Sequence, residues 1–410
     1  MRIATRSITA LLPLIASVSL SGSACHAGPT YRGVVGLMAS EALIMTGTGM
    51  PEVPAAWIAQ VSENFIRPII GGSFAGVPLK TPEQFAPFTG WESLTLDASS
   101  RIGWEILDAS LKALIARNAQ SGVPLDPLAV VGYSQSAFIA SVEKRILTPS
   151  PDSGAELPPV SFVLLGNPIR PNGGLFSRLA NLGLIGWTPI DSTPTDTRFP
   201  TVDIARQYDF FADFPADPSN LIAVANAVLG GAANHDYGPV SLDPSSANYD
   251  PNTVVQQYGD TTYYLIPAKH LPLLTPLRAA GMDAFADAIE PALRIMVELG
   301  YDRTAPYGEF VPARSLPVTD TATLSRDLGV AFQQGRAALE ASFSRSPAAA
   351  PVDAAASVGT KFVAREALRR GQRSVSPKEL PRWARVTGLQ RAAATQVLNP
   401  KPVRRLSQEG

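Results

Sequence analysis

The segment PLAVVGYSQSAFIASVEKRIL, residues 127–147, constrains the fold of this chain more than any other. It begins with an apolar, β-branched run that predicts a buried strand over 127–133, and the following residues predict a helix directly after it. The junction has the pattern Gly-x-Ser-x-small, which is typical of the sharp turn that exposes a nucleophilic serine, here Ser134. Gly132 leaves room where the strand and the helix crowd together, and Ser136 stands where a second glycine is more common.

Strands and helices alternate along the rest of the chain. A helix is predicted over 96–122, because apolar residues recur there at helical spacing. Further strands are predicted at the start of 41–54 and over 159–168, 201–209 and 261–267. This alternation predicts an α/β fold with a mainly parallel central sheet flanked by helices. The strands are short and apolar, as expected when both faces of the sheet are covered.

A long connection over 168–200 is apolar and rich in glycine and proline. Connections of this length are often lids or binding loops, so the segment predicts a lid over the site. Its apolar part, residues 169–190, would shelter an acyl chain. An ordinary helical insertion packed on the sheet is the alternative.

The N-terminus predicts export. Residues 1–27 combine arginines, a short apolar stretch and small residues near Ala24 and Ala27, a pattern typical of a cleaved signal peptide. Lipidation of Cys25, the only cysteine, and retention of the segment as an anchor are alternatives. We therefore expect an exported protein of the cell envelope or the extracellular space, with a body that contains no disulfide.

The composition of the 410-residue chain favours a globular core, with 45% apolar and 17% charged residues. Residues 343–360 are rich in alanine, proline and serine and predict a linker. In 361–410, twelve Lys or Arg stand against three Asp or Glu. This basic arm is expected either to contact an anionic membrane surface or to remain a solvated tail. Nucleic-acid binding is not expected after export.

A nucleophilic serine needs a general base, and the chain offers three histidines. His26 lies in the predicted signal and is set aside. His270 follows a strongly apolar strand, where an α/β-hydrolase presents its base, so it is the favoured candidate. His235 follows a helix-like stretch and is interpreted as a structural or pocket histidine.

The acid is expected after a strand between the serine and the base. Asp209 comes first after the strand predicted over 201–209, where a carboxylate can orient the imidazole, and it is the favoured acid. Asp213 is the alternative acid, or a cap of the following turn.

The oxyanion donors are predicted in two places. The turn places the backbone N–H of Gln135 beside the reacting carbonyl, and the loop MTGTGMP supplies a second N–H from Thr48 or Gly49. No Rossmann glycine pattern, P-loop lysine or zinc signature is present in the sequence, so no cofactor and no metal are expected.

As an ordered series, these segments resemble the PE-PPE-type serine hydrolase family of mycobacteria and relatives. The resemblance covers roughly residues 35–310. Its motifs are TGTGMPEVP, TPEQF, VVGYSQSA, LLGNPIRPNGGLFSRL, YDFFADFP, PSNLIAVANAVLGG and IPAKHLPLLTPLR. The resemblance implies an α/β-hydrolase fold over 28–342, related to the fold of cutinases and α/β lipases. One departure is Thr46, which stands where the family usually has the first glycine of GGTG.

The resemblance also implies a Ser-Asp-His triad, which falls on Ser134, Asp209 or Asp213, and His270. It further implies an exported serine esterase or lipase-like enzyme that acts on acyl esters of the cell envelope. Because the family is similar to enzymes that move acyl chains between trehalose glycolipids, a transacylase is the alternative. A non-catalytic envelope protein that binds lipid is a third hypothesis.

Overall fold

The structure, a computed structural model, describes residues 40–120, 127–148, 159–180, 191–316 and 320–345. The predicted export signal (1–27), the predicted basic arm (361–410) and residues 181–190 of the long connection lie outside the described residues. The linker predicted over 343–360 lies outside them too, apart from its first three residues. Those three continue a helix that ends at Arg345, so the helical body extends slightly beyond the predicted boundary.

A seven-stranded sheet forms the centre of the fold, in the order β2-β1-β3-β4-β5-β7-β6. The strands are β1 (Ser40–Ile44), β2 (Phe74–Pro78), β3 (Leu128–Tyr133), β4 (Val160–Leu165), β5 (Thr201–Arg206), β6 (Val254–Tyr258) and β7 (Thr261–Ile266). All neighbouring pairs are parallel except β6 and β7, which are antiparallel. The predicted mainly parallel sheet is confirmed.

Helices surround this sheet. They are α1 (Ala55–Val61), α2 (Arg67–Ile70), α3 (Leu96–Gln120), α4 (Gln135–Leu147), α5 (Leu175–Arg178), α6 (Leu221–Ala233), α7 (Thr275–Ala279), α8 (Asp283–Glu298) and α9 (Thr321–Arg345). A π-helical turn, Ser62–Ile66, links α1 to α2, and a 3₁₀ turn, Pro272–Leu274, precedes α7. In the part of the chain that the structure describes, no helix has both the length and the apolar character needed to cross a membrane.

Both faces of the sheet are covered, and alternate strand residues separate the two cores. On one face, Val131 and Val163 pack in a cluster with Phe65 of the π-helical turn. On the other face, Val130 packs in a cluster with Leu107 of α3 and with the apolar side of α4. Such two-sided burial explains why the central strands are almost entirely apolar. The result is the three-layered α/β-hydrolase architecture expected from the sequence.

The long connection after β4 is partly described. Residues 168–178 are buried, and α5 belongs to an apolar cluster with Phe214 and with Phe138 of α4. Residues 168–178 therefore pack as an insertion against α4 and the loop after β5, which fits the helical-insertion alternative for this part of the connection.

The parallel strands bring the ends of β3, β4 and β5 to one edge of the sheet. β3 and β4 pair in register from Leu128 opposite Val160 to Tyr133 opposite Leu165. The residues that follow β3 and β5 therefore emerge next to one another. That edge holds Ser134 and the loop of Asp209.

Candidate active site

The turn between β3 and α4 holds Ser134 in a strained backbone conformation, with φ 58° and ψ −116°. Such a conformation is rare for a residue with a side chain and persists only where the surroundings enforce it. Here Gly132 is required, because a Cβ at that position would clash with the carbonyl oxygen of Ser136 and lie 2.7 Å from the Cα of Ala137. The Ser134 N–H donates to the Leu165 carbonyl at 2.8 Å, which ties the turn to β4.

Ser136 stabilises the same turn with its hydroxyl. The Tyr133 N–H donates to Ser136 Oγ at 2.8 Å, and that hydroxyl in turn lies 3.1 Å from the Tyr133 carbonyl oxygen. The side chain is fully buried. A serine at the usual glycine position therefore closes the turn instead of weakening it.

A continuous series of hydrogen bonds runs from Ser134 through His235 to Asp209. His235 Nε2 lies 2.8 Å from Ser134 Oγ. His235 Nδ1 lies 2.9 Å from each carboxylate oxygen of Asp209. Asp209 is fully buried, whereas the serine and the imidazole border the surface. The three groups thus have the spacing of a nucleophile, a base and an orienting acid.

The prediction that His270 would be the base is wrong. His270 Nδ1 lies 3.0 Å from Glu290 of α8, and its side chain is 43% exposed. The strand that precedes His270, β7, is a neighbour of β5, but its loop turns the imidazole toward α8 instead of toward Ser134. The residue that lies against the serine is His235, whose position in the sequence had indicated a structural or pocket histidine.

Asp209, the favoured acid, is held by two donors besides the imidazole. Tyr237 donates its hydroxyl to Oδ2 at 2.8 Å, and the Phe211 N–H donates to Oδ1 at 2.9 Å. Burial and the nearby Asp209 carboxylate raise the pKa of Tyr237 well above its usual value, so its hydroxyl remains a donor.

Asp213, the alternative acid, lies in a different set of contacts. Its Oδ1 pairs with Arg303 at 2.6 Å, and its Oδ2 accepts the Tyr208 N–H at 2.8 Å. Tyr208 has a positive φ of 66° and directly precedes Asp209. Asp213 therefore shapes the loop that presents the acid, and its carboxylate does not reach the imidazole.

The His235 ring fits into a close aromatic setting. Phe211 lies against it with ring centroids 4.5 Å apart, and Tyr133 donates its hydroxyl to the His235 carbonyl at 2.5 Å. A Cβ on Gly166, whose φ is +61°, would lie 2.8 Å from His235 Cε1. These contacts hold the imidazole in its position beside Asp209.

The loop after β1 lies directly against the nucleophile. A Cβ on Gly47 would lie 2.9 Å from Ser134 Cβ. The Thr48 hydroxyl donates to Gln135 Oε1 at 2.8 Å, which joins the two predicted oxyanion residues. Gln135 opens α4, so its N–H has no acceptor within the helix. The Gly49 N–H, by contrast, donates to the Glu83 carbonyl at 2.6 Å, which leaves Thr48 as the loop's candidate donor.

Gln135 connects this loop to two further segments. Its Nε2 donates to Ser99 Oγ of α3 at 2.8 Å and to the Gln84 carbonyl at 3.2 Å. Glu83, next to Gln84, is fully buried with a positive φ of 48°. Burial raises the pKa of Glu83 to about 8, although a hydrogen bond from Thr81 opposes this. A neutral carboxyl group therefore lies behind the loop of the predicted oxyanion donors.

Among the described residues, one group of side chains has donor atoms close enough together for a metal ion, namely His270, Asp287 and Glu290. Arg278 already pairs with both carboxylates, at 2.6 Å to Asp287 and 2.8 Å to Glu290. Burial opposes ionisation of Glu290, but hydrogen bonds from His270, Arg294, Arg278 and a backbone N–H outweigh it and lower its pKa. Because arginines already neutralise these carboxylates, this cluster is better suited to an ion-pair network than to a cation.

Comparison with known proteins identifies a family. Residues 75–302 match the family model described as the PE-PPE domain. Relatives from Mycobacterium tuberculosis include the uncharacterized PPE family protein PPE42, 39% identical over 305 residues, which are 72% of this chain and 50% of that protein.

Two further relatives from the same organism have activities in their names. Esterase PE16 is 40% identical over 283 residues, covering 68% of this chain and 51% of that protein. Diacyltrehalose acyltransferase Chp2 is 34% identical over 190 residues, covering 43% of this chain and 52% of that protein. The chain thus spans about half the length of the curated relatives it matches.

Proposed function

This chain belongs to the PE-PPE domain family, as its motifs predicted, and we propose that it is a serine hydrolase of lipid acyl esters. The observation that carries the proposal is the unbroken series of hydrogen bonds from Ser134 through His235 to Asp209. The similarity to a protein named an esterase supports an ester substrate.

The geometry supports a two-stage reaction that begins at Ser134 Oγ. As this oxygen attacks the ester carbonyl carbon, its proton passes to His235 Nε2. Asp209 accepts a hydrogen bond from Nδ1–H, which leaves Nε2 free as the base and stabilises the imidazolium once it is charged. The Gln135 and Thr48 N–H groups would donate to the negatively charged carbonyl oxygen.

The second stage releases the acyl group. The tetrahedral adduct collapses, the alcohol leaves with the proton from His235, and an acyl ester on Ser134 remains. Water or another hydroxyl then attacks this ester and gives its proton to His235, which passes it to Ser134 Oγ as the bond between Oγ and the acyl group breaks. With water the product is a carboxylic acid, whereas a sugar hydroxyl yields a new ester. Each stage returns the imidazole to its neutral form.

The alternative of acyl transfer between trehalose glycolipids rests on a separate observation, the similarity to a protein named diacyltrehalose acyltransferase. Both activities use the same residues and differ in the second nucleophile. Incubation with diacylated trehalose separates them: transfer yields trehalose that carries more acyl chains than the substrate, whereas hydrolysis yields fatty acid and trehalose with fewer acyl chains.

A fluorophosphonate probe tests the proposal directly, because it reacts with activated serines. We expect wild-type protein to be labelled and to hydrolyse a short p-nitrophenyl ester, and Ser134→Ala to do neither. Ser110→Ala is the matched control, since Ser110 lies on α3 and its hydroxyl donates to the Ile106 carbonyl. Folded wild-type protein that stays unlabelled would favour the non-catalytic lipid-binding alternative.

For residues 1–27 we propose an export function, which their sequence pattern supports. N-terminal sequencing of the protein from cell envelope and culture medium is expected to give a start after Ala24 or Ala27.

For the basic arm, 361–410, we propose contact with anionic lipid headgroups. Deletion of 350–410 should then weaken binding to anionic vesicles, and unchanged binding would remove this idea.

A further inference from the structure

Helix α6 contains no charged residue, although one side of it faces solvent. Its exposed positions are Leu221, Ala225, Val228 and Ala232, which recur at helical spacing, and Ala233 at its end. Leu221 is 75% exposed and Val228 is 55% exposed. A surface helix of a soluble protein normally carries polar or charged side chains on this side. An uncharged, apolar outer face therefore indicates a contact that the described part of the chain does not make.

The inner side of α6 connects this face to the candidate active site. Val224 and Ala227 belong to an apolar cluster that also contains Phe210 and Phe211 of the loop after β5. Phe211 is the residue whose ring lies 4.5 Å from the His235 ring. The inner side of α6 and the ring that lies against the imidazole thus belong to one apolar cluster.

A second exposed apolar site belongs to the same cluster. Phe85 is a member of it and packs against Phe88, with ring centroids 4.9 Å apart. Phe88 is 58% exposed, and Trp91, three residues further on, is 86% exposed. The loop that carries them adjoins the candidate oxyanion loop, because a Cβ on Gly49 would lie 3.9 Å from the Thr89 methyl group.

We propose that the outer face of α6, together with Phe88 and Trp91, docks the protein on a lipid surface and so delivers lipid esters to Ser134. This docking surface extends the proposed function, and its role in delivering lipid esters rests on that function. The absence of charged side chains on α6 matches the uncharged interior of a lipid layer, and an exposed tryptophan suits the boundary between lipid and water. A protein partner would need hydrogen-bonding groups, about one for each 100–200 Å² of contact, and the outer face of α6 has no side chain that supplies one.

Binding to vesicles of phosphatidylcholine at high salt tests the surface, because neutral lipid and salt suppress electrostatic attraction of the basic arm. The test variant is Leu221→Ser/Val228→Ser. Its matched control is Val330→Ser/Phe332→Ser on α9, where the side chains are 50% and 65% exposed. We expect the partition coefficient of the test variant to fall about tenfold for each side chain, and that of the control to stay unchanged.

Hydrolysis of a soluble p-nitrophenyl ester is measured on the same samples. Retention of this activity by the test variant shows that it is folded, and loss of vesicle binding with retained activity is the expected result. Trp91→Ser replaces the double variant if the latter does not fold, and it should also bind vesicles less tightly. Absence of ester hydrolysis in wild-type protein would contradict the proposed function. The comparison of vesicle binding between the wild type and the variants would still test the docking surface.

Two results would overturn the docking surface. One is equal vesicle binding by wild-type protein and by the folded test variant. The other is a wild-type dimer in sedimentation that the test variant converts to a monomer, since the apolar face would then belong to a second copy of the chain.

Discussion

At the scale of single residues, the two histidines of the body have opposite surroundings. His235 contacts Ser134 and Asp209, whereas His270 contacts Glu290. We expect His235→Ala to lower kcat for a p-nitrophenyl ester by roughly 10²–10⁴-fold, the usual contribution of a general base. His270→Ala should leave kcat nearly unchanged and lower only the melting temperature. Equal loss of activity in both variants would contradict the assignment of the base.

Tyr237 is expected to act on the reaction through its hydrogen bond to Asp209. Tyr237→Phe removes the hydrogen bond to Oδ2 and the acceptor of the Arg206 N–H, without touching the space above Ser134. Because a hydrogen bond to a charged group contributes about 1.5–3 kcal/mol, we expect kcat to fall by about tenfold or more while KM stays the same. Tyr301→Phe is the control, since that buried hydroxyl has no partner among the described residues.

At the scale of elements, the junction of β3 and α4 tolerates no added atom at Gly132. Gly132→Ala would press a methyl group against backbone atoms of Ser136 and Ala137, which cannot rotate away. We expect the free energy of unfolding to fall by about 3 kcal/mol, the upper range for overpacking, together with loss of ester hydrolysis. Chemical denaturation measures the first effect and a p-nitrophenyl ester the second.

Gly103→Ala is the matched control for this prediction. Its Cβ would meet the terminal methyl group of Ile139, a flexible side-chain end, at 2.5 Å. Because alanine also favours a helix by about 1 kcal/mol, α3 should lose little stability. Similar losses in the free energy of unfolding in both variants would contradict the idea that Gly132 is needed to avoid a steric clash at the turn.

The sequence predicted those strands whose conformation is determined by their own residues. β3 and β4 are nearly all apolar because both faces are buried, so a short run of residues was sufficient to predict them. The edge strands β2 and β6 were missed, since FAGVP contains glycine and proline and VVQQY is largely exposed. Both strands depend on pairing with a neighbour, which a local pattern does not contain.

The wrong prediction of His270 as the general base has the same cause, because a local pattern does not contain contacts between distant segments. The order of serine, acid and histidine along the chain fits His235 and His270 equally, and only the packing of α6 and the space at Gly166 distinguish them. A signal was present in NHDYG, where Tyr237 follows the histidine by two residues and reaches Asp209. Its meaning depends on a contact between segments 28 residues apart.

At the scale of the whole molecule, two buried carboxyl groups make folding sensitive to pH. Burial raises the pKa of Glu83 to about 8, opposed by Thr81. Burial and the charge of Asp108 raise the pKa of Glu143 to about 7, opposed by Trp104 and Lys112. Both groups ionise near 4.5 once unfolded. The unfolded chain therefore loses these protons at lower pH than the folded protein, and rising pH favours unfolding.

Glu83→Gln isolates one of these groups, because an amide is neutral at every pH and retains an oxygen to accept the Thr81 hydroxyl. Below the unfolded pKa of 4.5 the variant and the wild type should be similarly stable. Above it, the free energy of unfolding of the wild type should fall relative to the variant by about 1.4 kcal/mol for each pH unit, until the folded pKa of about 8 is reached. Urea denaturation across this window measures the difference, and Glu92→Gln, an exposed glutamate of the neighbouring loop, is the control. A difference between wild type and Glu83→Gln that does not change with pH would mean that Glu83 is already ionised in the folded protein.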